Sequence, residues 1–159
     1  EYPWDDPEFR SSWLEERKLL AAAIGEEDLD EMKKIAERWI VHRYERRKEI
    51  SEPLIQYEQR REWLEGLAKY AELMAMKMAN KSDSYEPLPA TGEISDFNGY
   101  KKAGSHWRKE ISQLQSDMQF DGTIFYYSGW AQAVLLDRLN PDWKSEAMQP
   151  EVYLEELFP

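Results

Sequence analysis

Cysteine is absent from the 159 residues, and histidine occurs only at positions 42 and 106. Without cysteine there is no disulfide, no thiolate metal site and no cysteine nucleophile. Any zinc would need His, Asp or Glu, yet the two histidines lack the His-Glu-x-x-His spacing that puts two imidazoles on one helical face. The Glu-x-x-His pairs of di-iron bundles are missing too, because the residues three before the histidines are Trp39 and Ala103. No Gly-rich phosphate loop or Gly-x-Ser-x-Gly turn occurs, so nucleotide and serine-hydrolase chemistry lack their minimal parts. Long apolar runs are scarce. Residues 122–136 carry no charge but fall short of the ~20 apolar residues a membrane-spanning helix needs. Positive charge is also in deficit: 21 Lys and Arg face 32 Asp and Glu, a formal net charge of −11. A phosphate backbone would be repelled, so neither nucleic acid nor membrane is an expected partner.

What the chain does have is aromatic mass. Seven Trp, nine Tyr and five Phe stand within a composition that is 42% apolar and 33% charged, and each ring can bury about 150–250 Å². Despite a mean hydropathy of −0.82, this balance predicts one soluble globular domain over 1–159. The chain begins at Glu1 with neither an initiator Met nor a basic and apolar leader. That start reads as a processed or excised product.

Helical punctuation and periodicity run along most of the sequence. Asp6-Pro7 is a start signal, and Phe9, Trp13, Leu20 and Ile24 then form one stripe up to Gly25. Leu29, Met32, Ala36, Trp39 and Ile40 give a second inward face, and the charged run 43–49 beyond it reads as solvated surface. Ser51-Glu52-Pro53 opens a third and longest helix, with Leu54, Tyr57, Leu64, Ala68, Ala71 and Met78 at helical spacing. Periodicity then stops. Residues 82–100 hold Pro87, Pro89, Gly92 and Gly99 and read as a long surface loop, either a functional lid or a connector. A fourth helix is expected over 101–118 and a fifth, apolar on most sides, over 123–139. Short helices should follow Pro141 and Pro150. With no hairpin signal and no internal repeat, the expected fold is all-α: an irregular bundle of about five main helices with short C-terminal ones.

The third helix carries an unusual series, Glu58, Glu62, Glu65 and Glu72, on adjacent faces. Arg60, Arg61 and Lys69 could neutralise these carboxylates in water; alternatively one of them is a metal ligand. Gly66 inside so strong a helix costs about 1 kcal/mol relative to Ala, which a close approach by another backbone or a ligand would explain.

The segment Trp63-Leu64-Glu65-Gly66-Leu67-Ala68-Lys69-Tyr70 resembles the part of gluzincin zinc metallopeptidases that supplies the third zinc ligand, a Glu followed by Gly-x-Ala. Tyr126-Tyr127-Ser128-Gly129 is similar to the Tyr-x-x-Gly segment of their aminopeptidase branch. Leu135 to Leu139, Pro141 and Trp143 look like the helical part that follows, so the likeness extends over 57–143. By this resemblance Glu65 is a zinc-binding carboxylate, and Tyr126 is the hydroxyl that stabilises the tetrahedral oxyanion. The His-Glu-x-x-His helix itself is not in the chain. His42-Arg43-Tyr44-Glu45-Arg46 lies near the distance at which the family places it, and in that register Arg43 and Arg46 replace the base and the second His. Two guanidiniums there would repel Zn²⁺. The other possibility is that the imidazoles come from a segment outside these residues.

Two functions follow from these residues. One is the C-terminal helical portion of a gluzincin-like peptidase, whose zinc is completed by histidines from outside the chain and whose partner is a peptide substrate or an upstream peptidase segment. The other is a non-catalytic acidic helical interaction module or a degenerate peptidase domain. Local chemistry supports bland roles as well: His42 as exposed surface, His106 as a partly exposed structural residue, and Tyr126 and Tyr127 as packing beside Phe125 and Trp130.

Overall fold

A computed structural model describes residues 1–94, 103–117 and 120–159. Helix α1, Pro7–Gly25, starts where the sequence says it should: the Asp6 carboxylate accepts from the backbone N–H of Glu8 and Phe9, and Pro7 opens the first turn. Asp28 caps α2, Leu29–Arg47, in the same way through Asp30 and Glu31. Only three residues separate the two helices, and they pack on each other as a helical hairpin. The third rod is α3, Glu52–Arg61, continued through a π turn over Glu62–Gly66 into α4, Leu67–Lys81. Helix α5 spans Ala103–Leu114, α6 Ile124–Leu139 and the short α7 Trp143–Glu146. Single 3₁₀ turns occupy Pro89–Glu93 and Leu154–Leu157.

Among the described residues every regular element is helical, which makes the fold all-α. None of these helices is long and apolar enough to cross a membrane. Helix α6 is the axis of the bundle. It touches α1, α3, α4, α5, the π turn and the C-terminal 3₁₀ turn, and ten of its residues are buried, including Phe125, Trp130 and Leu136. The absence of charge over 122–136 is explained by this position. The Trp13, Trp39, Trp130 and Trp143 rings are fully buried.

Two expectations need correction. The run 43–49 is not solvated surface: Arg43, Arg46 and Arg47 are 2–4% exposed, and only residues such as Tyr44, Glu45 and Lys48 face water. The apolar stripe of the third rod does not face inward either. Tyr57, Leu64, Ala68, Ala71 and Met78 are exposed, while Glu58, Glu62, Gly66, Tyr70 and Leu73 are buried. Hydrophobic periodicity selects the wrong face here because ion pairs and a glycine contact, rather than hydrocarbon, fill the inner one. Within 82–100, the described part contains the 3₁₀ turn at Pro89–Glu93; residues 95–100 lie outside the described residues, as do 101, 102 and 118 of the expected fourth helix.

Candidate functional site

The site is built where the π turn meets α6. A Cβ on Gly66 would lie 2.4 Å from the Gly129 Cα, and one on Gly129 would lie 2.2 Å from the Glu62 carbonyl oxygen. Both distances are far below contact, so the two helices cross backbone to backbone at this point, and glycine is required on each side. The close approach expected at Gly66 is therefore made by another helix. Widened turns of this kind shift the register of the residues after them and are frequent at functional sites.

This crossing brings the two residues of the resemblance together. Glu65 immediately precedes Gly66, and Tyr126 stands one turn before Gly129. The Tyr126 hydroxyl faces the Glu65 carboxylate, and the nearby negative charge raises the phenol above its ordinary pKa, so the phenol remains protonated at neutral pH. The other partner is Arg61, whose Nη1 lies 2.9 Å from Glu65 Oε1, with the two side chains 33% and 18% exposed. Glu65 is thus half-buried between an arginine of its own helix and a phenol from α6.

Histidine is not part of this arrangement. His42 Nε2 lies 2.9 Å from the Ser12 carbonyl oxygen and 3.3 Å from its hydroxyl, which fixes the ring between α2 and α1 rather than leaving it as free surface. His106 is exposed on α5. Among the described residues no set of three or more His, Asp or Glu side chains could hold a metal ion. One carboxylate, Glu65, does not by itself make a zinc site, which takes three or four protein ligands, so two or three imidazoles would have to join it from outside the described residues.

One turn inward from Glu65 lies an arrangement that the sequence pattern conceals. Glu58 and Glu62 face three arginines of α2. Arg46 spans Glu58 with its Nη1 and Nη2 at 2.7 and 2.9 Å, and its Nε reaches Glu16 at 2.7 Å. Arg43 bonds Glu16 at 2.8 Å, lies 2.6 Å from a Glu155 oxygen, and also bonds Glu62. Arg47 joins Glu58 at 2.9 Å to Glu155 at 2.5 Å. Tyr2 and Ser128 donate further hydrogen bonds to Glu58 and Glu62, at 2.7 and 2.6 Å. The guanidiniums also stack on aromatic faces, with Arg46 3.9 Å from the Trp13 ring centroid and Arg43 5.2 Å from that of Trp39.

Charge balance in this seam is close. The arginines hold Glu58 and Glu155 down to about 2, against the opposing effect of burial. For Glu62 burial wins over Arg43 and pushes the carboxyl above its ordinary value. Four carboxylates face three guanidiniums, so a proton on Glu62 would bring the seam to neutrality. Arg43 and Arg46, the residues that stand in the register of a metallopeptidase base and second histidine, thus pair with Glu16, Glu58 and Glu62 and not with Glu65.

Sequence reasoning missed this cluster because arginine on an acidic chain reads as surface. The available signal was the i, i+3, i+4 placement of Arg43, Arg46 and Arg47 in line with Trp39, on the buried face of α2. Compared with protein-family models, with curated proteins and with solved structures, the chain matches none.

Proposed function

We propose that this chain is the helical portion of a gluzincin-like zinc peptidase that contributes Glu65 and Tyr126 to a site completed by imidazoles from outside these 159 residues. The observation that carries this reading is the backbone contact of Gly66 with Gly129, which sets Glu65 and Tyr126 on facing turns of the two helices. The two short motifs of the resemblance, 61 residues apart in the chain, meet at one glycine crossing. In this reading Glu65 is a carboxylate donor held in place by Arg61, and Tyr126 is a neutral donor suited to a developing oxyanion. Zinc, when bound in the completed site, would supply Lewis acidity. The chain's own residues orient the carboxylate and keep the phenol proton in place.

The test uses the natural gene product that carries these residues, purified with any partner that co-elutes. About one zinc per complex is expected, together with hydrolysis of aminoacyl or peptidyl anilides. Glu65→Gln should lose the metal, whereas Tyr126→Phe should retain it and lose kcat by about 10²-fold or more, the scale of a lost oxyanion donor. Zinc retained undiminished in Glu65→Gln, or a gene product with neither zinc nor activity, would overturn the reading.

A second reading, a degenerate domain or acidic interaction module without catalysis, has an observation of its own. Arg61 already satisfies Glu65, and Arg43 and Arg46 are committed to a buried seam. The zinc-free, inactive outcome of the same experiment would favour it.

A further inference from the structure

Away from Glu65, α4 and α5 form an open surface cavity of about 360 Å³ lined by Leu73, Lys77, Asn80, Lys81, Trp107 and Arg108. We infer that this cavity is a binding site for a small amphipathic organic anion, a carboxylate or sulfonate carried on an aromatic or compact alkyl body.

The charge distribution supports the anion. In a chain of net charge −11, α4 and α5 together carry five Lys and Arg but only two carboxylates, Glu72 and Glu110. Both carboxylates bond to the same residue, Lys69, at 3.3 and 3.2 Å. The three cations at the cavity, Lys77, Lys81 and Arg108, have no carboxylate partner among the described residues. Among the described residues these three positive charges face one concavity with no carboxylate beside them, which favours binding of an anion there.

The walls support the apolar body. Leu73 is buried, and Trp107 is held edge-on against the fully buried Trp130 with ring centroids 5.1 Å apart. Its face meets Lys77, whose Nζ lies 5.0 Å from the ring centroid. The indole and Lys77 together present apolar wall and positive charge side by side, so an aromatic anion can lay its ring along Trp107 and Leu73 while its charged end reaches the cations. The volume falls at the small end of the range for ligand pockets, about 300–1,000 Å³, which limits the ligand to one or two fused rings or an equivalent chain.

The probe pair is naphthalene-2-carboxylate and its neutral isostere 2-naphthamide, titrated into the full chain by calorimetry at low salt. The carboxylate is expected to bind once per chain with a dissociation constant of about 1 mM or below, and the amide at least about tenfold more weakly. Affinity for the carboxylate should fall as salt is raised. Lys81→Glu combined with Arg108→Glu should weaken the carboxylate at least about tenfold while the melting temperature stays within about 3 °C, since both side chains are exposed. Trp107→Leu should weaken both probes. Equal binding of carboxylate and amide, binding unaffected by the charge reversals, or no binding of the carboxylate up to about 10 mM would overturn the assignment.

Discussion

Glu58 and Glu62 share a rod with Glu65 and Glu72, separated by no more than four turns, yet the two pairs live in different electrostatic worlds. The first two are buried among arginines brought from α2, with further partners from the N-terminal segment and α6. The latter two are paired chiefly within the helix itself, by Arg61 four residues before and Lys69 three before, in contact with water. A series of glutamates at helical spacing therefore says nothing about which of them the fold will desolvate. What decides is the company that distant segments bring, and here the π turn at Glu62–Gly66 marks the changeover. The inner pair should govern stability, and the outer pair should be nearly silent in it.

The sharpest way to break the comparison is to remove one arginine from the seam. Arg46→Leu would leave Glu16 and Glu58 buried without their main counter-ion, and stripping one partner from a buried ion pair costs about 3–5 kcal/mol. Denaturant unfolding at neutral pH should show a loss of this size or no folded protein at all. A loss below about 1 kcal/mol would mean that water reaches the seam and that the buried arrangement is mistaken.

Acid should act on the same carboxylates from the other side. Glu58 and Glu155 are held down to about 2 from an ordinary 4.5, so they stabilise the fold above their unfolded pKa. That contribution is lost as pH falls from about 4.5 toward 2. A carboxylate depressed to this extent contributes about 3 kcal/mol at neutral pH. Glu62 has the opposite sign: its raised carboxyl favours the protonated fold, so its ionisation opposes stability as pH climbs. With two depressed groups against one raised, the melting temperature should drop steeply below pH 4.5, and Glu62→Gln should flatten the curve at its neutral end. A melting temperature that holds level down to pH 2.5 would contradict the pairing.

The boundary between the two regions can itself be tested. Gly66→Ala places a methyl against the Gly129 backbone, and overpacking that backbone cannot relieve should cost about 1–3 kcal/mol or more. In an ordinary exposed helix the same change would stabilise by about 1 kcal/mol. The sign of the shift in calorimetry therefore reports directly on the crossing.

How much of this was legible beforehand differs along the chain. The caps at Asp6 and Asp28, the tryptophan faces of α1 and α2 and the buried α6 follow from local rules, because capping and apolar burial depend on residues a few positions apart. Gly66 announced a close approach through its own misfit in a good helix. The seam was not legible, because Glu16, Arg43, Glu58 and Glu155 are far apart in the chain and each alone has the appearance of a surface residue. Exposure of Leu64 and Met78 went unread for the same reason: their spacing is as regular as that of a core stripe, and only tertiary packing shows which face the charges have taken. Glu65 and Tyr126 stand in short motifs, but their juxtaposition depends on a helix crossing that no local rule specifies.

The smallest expected effect is the most discriminating one for the outer pair. Glu65→Gln removes the charge facing Arg61 and Tyr126, yet both partners are partly open to water and can resolvate. Exposed or half-exposed pairs of this kind contribute about 0–1 kcal/mol, so thermal denaturation of the variant should lie within that range of the parent. Tyr126→Phe should behave alike, and the double variant should show a coupling of a few tenths of a kcal/mol if the two side chains interact in solution. Stability alone would then give no reason for a half-buried carboxylate, an arginine and a phenol to converge at a crossing that forbids any side chain larger than hydrogen. A loss of about 3 kcal/mol in Glu65→Gln would place this carboxylate in the same class as Glu58, and the arrangement would then be structural.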